Sequence, residues 1–157
     1  MTTENQNMEN EKGLIAEFPL QGLNFDIAGA ASSKIKKTLQ QIGVRTEVIR
    51  NVAIATYEAE INVIIHADNG YIKALIYINR TEIIIEDEGP GIADLKLAMQ
   101  EGFSTATDEI RALGFGAGMG IPNMIKCADH FSIESTVDKG TKIQMIFYHN
   151  VLENKPS

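Results

Sequence analysis

Three polar residues in the segment ATYEAEINVIIHA (55–67) recur at a spacing of four: Glu58, Asn62 and His66. On a helix that spacing puts all three on one face. Ile61 and Ile65 border the stripe on one side, and Val52, Ala59 and Val63 on the other. A polar stripe between apolar borders differs from a solvated face, which would be charged more evenly, as around Glu60. Polar groups in such a setting need partners, supplied by backbone and water or by a ligand. A carboxylate there suits general-base work. An Asn one turn on offers a hard oxygen to a Mg²⁺ ion that keeps most of its waters and its substrate phosphates. The three histidines, His66, His130 and His149, show no paired zinc-ligand spacing.

Two glycine-rich stretches carry the rest of the candidate chemistry. IIIEDEGPGI (83–92) ends an apolar run in an acidic cluster and then Gly89-Pro90-Gly91. Asp87 beside two glycines can accept a hydrogen bond from a flat polar ligand lying on bare backbone. The exocyclic amine of adenine is such a donor, whereas the guanine carbonyl in that place would oppose a carboxylate. The second stretch, LGFGAGMGIPNM (113–124), has Gly114, Gly116, Gly118 and Gly120 at every other position. No Lys-Ser or Lys-Thr follows them, which excludes a P-loop. The G-x-G-x-G-x-G spacing after a long loop does not fit a dinucleotide turn. What remains is a segment running into a helix N-terminus, whose free N–H groups suit an anion.

The elements that must position these residues follow from the periodicity. Residues 13–19 read as a short edge strand ending at Pro19. Residues 29–42 read as a helix stopped at Gly43, and 46–67 as a long helix with Glu47 in its first turn. Residues 71–78 and 81–88 form a hairpin about Asn79-Arg80. A short helix is expected at 93–101, a functional loop at 102–117, and a helix at 120–128 with Pro122 in its first turn. Residues 130–136 and 141–148 form a second hairpin. This order predicts an α+β fold: a two-layer sandwich with helices on one face of a mixed, mostly antiparallel sheet. Residues 13–149 are read as one domain, between a flexible tail (1–12) and a C-terminal tail (150–157).

The bulk properties narrow the function classes. The 157 residues carry a net charge of −7, which argues against a nucleic-acid partner and fits a basic partner surface. No apolar run approaches the roughly 20 residues of a membrane span. A single cysteine, Cys127, allows no internal disulfide and fits the cytoplasm, where the chain is expected. Cys127, Met124 and Met145 read as packing residues, as does Met119, which also falls inside the second glycine box. Lys34, Lys36 and Lys37 read as a solvated helix face.

Taken in order, these motifs resemble those of the GHKL ATPase superfamily, which includes gyrase, MutL and the sensor histidine kinases and shares the Bergerat ATP-binding fold. Glu58-x-x-x-Asn62-x-x-x-His66-Ala67 is similar to the N box, and Asp87-Glu-Gly89-Pro-Gly91 to the first glycine box. Gly114 to Gly120 is similar to the second glycine box, and Lys139-Gly140-Thr141 to the Lys-Gly-Thr before the last strand. Within the superfamily the chain looks most like the small anti-sigma-factor serine kinases.

That resemblance implies ATP and Mg²⁺ as cofactors. Glu58 would orient or deprotonate the attacking hydroxyl, and Asn62 would hold Mg²⁺. Asp87 would take the adenine amine above Gly89 and Gly91, supported by Thr141. Gly116, Gly118 and Gly120 would face phosphate, and Ser104, Thr105 and Arg111 would lie on an ATP lid. His66, Ile92 and Met119 complete the expected nucleotide contacts. The partners it implies are a sigma factor and an anti-sigma antagonist carrying the substrate serine, with the chain itself a homodimer. Two alternatives share the motifs: a non-catalytic, ATP-switched binding module, and a detached histidine-kinase-type catalytic domain. The surplus glycines and Gly102-Phe-Ser-Thr105 favour the latter. Only about 45 residues precede the N-box helix, and they hold no histidine that could serve as phosphoacceptor.

Overall fold

Alternation of apolar and polar residues builds the sheet. In the computed structural model, which describes residues 13–100 and 120–149, the strands are β1 (Leu14–Gln21), β2 (Asn69–Ile76), β3 (Arg80–Glu88), β4 (His130–Thr136) and β5 (Gly140–Tyr148). They lie in the order β1-β2-β3-β5-β4. Every second residue turns inward: Ile72, Ala74 and Ile76 on β2, Thr81, Ile83 and Ile85 on β3, and Ile143, Met145 and Phe147 on β5 are all buried. The register pairs these inward residues across strands, Ile72 with Ile85 and Ile83 with Met145. A slip of one residue would turn the whole apolar set outward.

The inward face is covered by helices. These are α1 (Ala30–Gln41), α2 (Thr46–His66), the single turn α3 (Leu95–Ala98) and α4 (Gly120–Cys127). Helix α2 packs against β1, β2, β3 and β5, while α1 and α4 each pack against α2. Ile35 and Leu39 of α1, Val52, Ala55, Ala59 and Val63 of α2, and Met124 of α4 join the strand residues in one core. Each fully buried Leu, Ile or Met side chain contributes about 1.5–3 kcal/mol.

Several expectations are corrected in detail. Among the described residues all four pairings are antiparallel, so the sheet is not mixed. Two pairings are hairpins, β5 returns antiparallel against β3, and the helical return from β1 brings β2 in antiparallel as well. Strand β1 does not end at Pro19 but pairs through it, Pro19 opposite Tyr71. An edge strand tolerates a residue without an N–H. The first hairpin turns one residue earlier than expected, on Ile78-Asn79, with Tyr77 N–H donating to Arg80 O at 2.8 Å. Helix α3 is one turn rather than 93–101; Asp94 caps it by accepting from Leu97 N–H at 3.1 Å.

The largest correction concerns Glu60, which does not sit on a solvated face. It is fully buried. Its carboxylate accepts from Gly29 N–H at 2.9 Å and Ser32 N–H at 2.7 Å. These are free N–H groups at the start of α1, whose N-cap is a glycine with no side chain to serve them. A carboxylate from a neighbouring helix caps α1 instead. Burial pushes the Glu60 carboxyl above its ordinary 4.5, against the opposing pull of those backbone donors.

Candidate active site

Helix α2 presents the stripe as its spacing predicts. Ile61 and Val63, with Val52 and Ala59, are buried, and Glu58, Asn62, Ile65 and His66 are half-buried between them. Glu58 and Asn62 face the first residue of α4. A side chain added at Gly120 would begin 3.3 Å from Asn62 Oδ1 and 3.4 Å from Glu58 Oε2. The bare backbone of Gly120 thus lets the start of α4 come close to two polar side chains, where a Cβ would crowd them. Asn123, one turn further along α4, donates from Nδ2 to Glu58 Oε1 at 3.2 Å.

The far end of α2 is tied to the strand that carries Asp87. Asp68 N–H donates to Glu88 O at 2.9 Å. A side chain at Gly89 would begin 2.9 Å from Ala67 Cα, so the first glycine box passes directly over the end of the helix. Asp87 is half-buried, and its Oδ1 accepts from Thr141 N–H at 3.1 Å. Its Oδ2 has no hydrogen bond to a described residue. Burial pushes the Asp87 carboxyl above its ordinary 3.8, and the Thr141 N–H works against that shift.

The glycine box is laced to the β4–β5 turn. Gly89 N–H donates to Lys139 O at 3.1 Å, and Asp138 N–H to Pro90 O at 2.9 Å. Ser135 Oγ accepts from Ile92 N–H at 2.8 Å and lies 2.8 Å from Thr141 Oγ1. Gly91 has a φ of 71° and no room for a side chain against Thr136 O; Gly140, at 152°, has none against Asp87 O. Both positions require glycine, by conformation and by space. His66 lies beside this junction, and burial lowers its imidazole below 6.5.

The structure thus brings together Glu58, Asn62 and Gly120 at one end, and His66, Asp87, Gly89, Gly91, Ile92 and Thr141 at the other. The eight residues from Glu58 to His66 separate the ends by about 12 Å of helix. Ser104, Thr105, Arg111, Gly116, Gly118 and Met119 lie outside the described residues. Sequence reasoning missed Asn123 and Ser135. Asn123 follows Gly120 by one helical turn, which was the available signal; Ser135 gave none. A groove of about 440 Å³ runs along the same strand ends, lined by Tyr71, Glu86 and Lys142 among others, but neither Glu58 nor Asn62 lines it. No helix among the described residues is long and apolar enough to cross a membrane.

Residues 26–147 match the family model of the histidine kinase-like ATPase domain. The chain belongs to that family. The match spans both ends of the site, from before α1 to the last residues of β5. The anti-sigma F factor of Thermoanaerobacter sp. strain X514 is 35% identical over 126 residues, 78% of this chain and 80% of that protein. The anti-sigma F factor of Clostridium botulinum strain Eklund 17B is 32% identical over 150 residues, covering 92% and 98%. The serine/threonine-protein kinase RsbT of Bacillus subtilis strain 168 is 31% identical over 121 residues, covering 74% and 85%.

Proposed function

We propose that this chain is an ATP-dependent protein-serine kinase of a partner-switching circuit, which sequesters a sigma factor and phosphorylates that factor's antagonist. The observation that carries the reading is the convergence of Glu58 and Asn62 on the bare start of α4 at Gly120, on the helix whose other end is tied to the strand that carries Asp87. Relatives named as anti-sigma F factors and as a serine/threonine-protein kinase support it. Homodimerisation belongs to the same reading and rests on the family likeness.

Asp87 Oδ2 accepts the adenine amine, with the ring over Gly89 and Gly91. The α4 N-terminus at Gly120 presents backbone N–H groups to the phosphates. Asn62 Oδ1 would hold a Mg²⁺ ion, which would neutralise charge developing on the phosphates. The residues present fit such an ion, since Asn62 Oδ1 is a hard neutral oxygen beside a side-chain-free helix start. Glu58 then orients the substrate serine. As the serine oxygen bonds to the γ-phosphorus, its proton passes to Glu58 Oε2. The bond from phosphorus to the bridging oxygen breaks, and ADP leaves with the electron pair. Catalysis of this kind is mainly positioning and charge stabilisation.

The test is incubation with γ-labelled ATP and candidate partner proteins encoded nearby, followed by phosphoresidue analysis. Acid-stable phosphoserine on one partner, reduced to a slow residual rate in Glu58→Gln, is the expected outcome. Acid-labile phosphohistidine would replace this reading with a detached histidine-kinase domain. ATP-dependent partner binding without any transfer would replace it with a non-catalytic switch.

A further inference from the structure

We propose that Asn123 is a positioning residue for Glu58, and that it couples the placement of helix α4 to the orientation of the base. This rests on the kinase reading above. Glu58 Oε1 accepts from Asn123 Nδ2 at 3.2 Å, a contact bridging 65 residues of sequence. An ionised carboxylate can only accept, so the amide nitrogen of Asn123 must be the atom that faces it. No other described side chain hydrogen-bonds to Glu58.

The two carboxylate oxygens are therefore not equivalent. Oε1 is held by Asn123. Oε2 is the oxygen beside Gly120, 3.4 Å from where a side chain there would begin. Holding Oε1 leaves Oε2 directed at the start of α4, where the phosphates and the serine hydroxyl would meet. Gly120 and Asn123 belong to one turn of α4, so whatever fixes the phosphate-facing end of that helix also fixes the base.

The test is a double-mutant cycle with γ-labelled ATP and the acceptor protein labelled in the preceding assay. Asn123→Ala is expected to lower kcat roughly tenfold or more, with KM for ATP held within about twofold. Asn123→Asp keeps the shape and sets a second carboxylate against Glu58, so it is expected to lose at least as much while folding normally. In the Glu58→Gln background, Asn123→Ala should cost nothing further, within about twofold. The same loss in both backgrounds, or a raised KM with unchanged kcat, would overturn the coupling. Wild-type transfer by Glu58→Gln alone would instead overturn the kinase assignment of Glu58 on which the coupling rests. A second readout needs no activity. In the nucleotide-free protein, Glu58→Ala should shift the Asn123 side-chain amide resonances, and unmoved resonances would refute the contact itself.

Discussion

Replacing Asp87 by Asn separates nucleotide recognition from folding. In the native chain Oδ1 accepts from Thr141 N–H at 3.1 Å, while burial holds the carboxyl above its ordinary 3.8. Asn has the same shape and can turn its oxygen to Thr141, so that bond survives and a half-buried charge is removed. Stability is therefore expected to hold or rise. The sign follows from linkage: a carboxyl whose pKa is raised by folding costs stability as pH climbs past 3.8. The variant escapes that cost, so its advantage grows with pH. At the second position an acceptor becomes an NH₂ donor, set against the adenine amine, also a donor. Losing a hydrogen bond to a charged group costs about 1.5–3 kcal/mol, or roughly 10- to 150-fold in Kd for ATP. The new donor suits the guanine carbonyl, so the preference for ATP over GTP should fall further than ATP affinity alone. Calorimetry with both nucleotides and Mg²⁺, beside urea unfolding of the same samples, reads all three. Unchanged ATP affinity at native stability would remove Asp87 from the adenine site. A large loss of stability would show that the Asp87–Thr141 link holds the strand ends together more than it serves a ligand.

Three further outcomes are expected. Glu60→Ala leaves the Gly29 and Ser32 N–H groups without their acceptor and should lower stability by about 2–4 kcal/mol in urea unfolding; a loss under 0.5 kcal/mol would mean water replaces the cap. Thr56 is fully buried with no partner for its hydroxyl among the described residues, so Thr56→Val should stabilise by about 1 kcal/mol and raise Tm by several degrees in calorimetry. His149 is buried, its Nε2 2.6 Å from Thr81 Oγ1 and its Nδ1 3.1 Å from Ile78 O, and burial lowers its pKa below 6.5. A histidine with a depressed folded pKa favours folding in its neutral form, so stability is complete above 6.5 and falls as pH drops below it. The urea midpoint should fall between about pH 7.5 and 5.5, with less fall in His149→Gln, and the remainder reflects His66, which burial shifts the same way.

How much of the site was legible depended on how far apart in sequence its partners lie. The stripe of Glu58, Asn62 and His66 was visible because helical periodicity is local. Asp87, Gly89, Gly91 and Thr141 were visible because their motifs are short and their order matches a family pattern. Periodicity reports that residues share a face, but not which element covers that face. Glu60 was misread for that reason, since its donors lie 28 and 31 residues away on α1. The Ile92–Ser135 and Glu58–Asn123 bonds span 43 and 65 residues; nothing local marks Ser135, and Asn123 is marked only by its place one turn past Gly120. The strand boundaries failed more mildly. Pro19 looks like a stop until the pairing of Pro19 with Tyr71 and Gln21 with Asn69 is seen, and Asn79-Arg80 looks like the turn until the register of Ile76 with Thr81 is fixed.

Glu58 and Glu60 are two residues apart on α2, about 200° around the helix, and that angle connects the misread residue to the site. Glu60 is held by the start of α1, and Glu58 by Asn123 of α4. Since α1 and α4 both pack against α2, the two carboxylates fix its rotation from opposite sides. A shift by one residue would turn the helix about 100°, carrying Glu60 off its two donors and Glu58 away from Gly120 together. Burying a carboxylate is costly unless it is hydrogen-bonded, so the Glu60 contacts penalise any other rotation of the helix. The apolar border of α2 alone would not discriminate so sharply, because Val, Ile and Ala can exchange places in a core at little cost. The buried Glu60 is therefore what holds Glu58, Asn62 and the His66 end of the helix in one alignment.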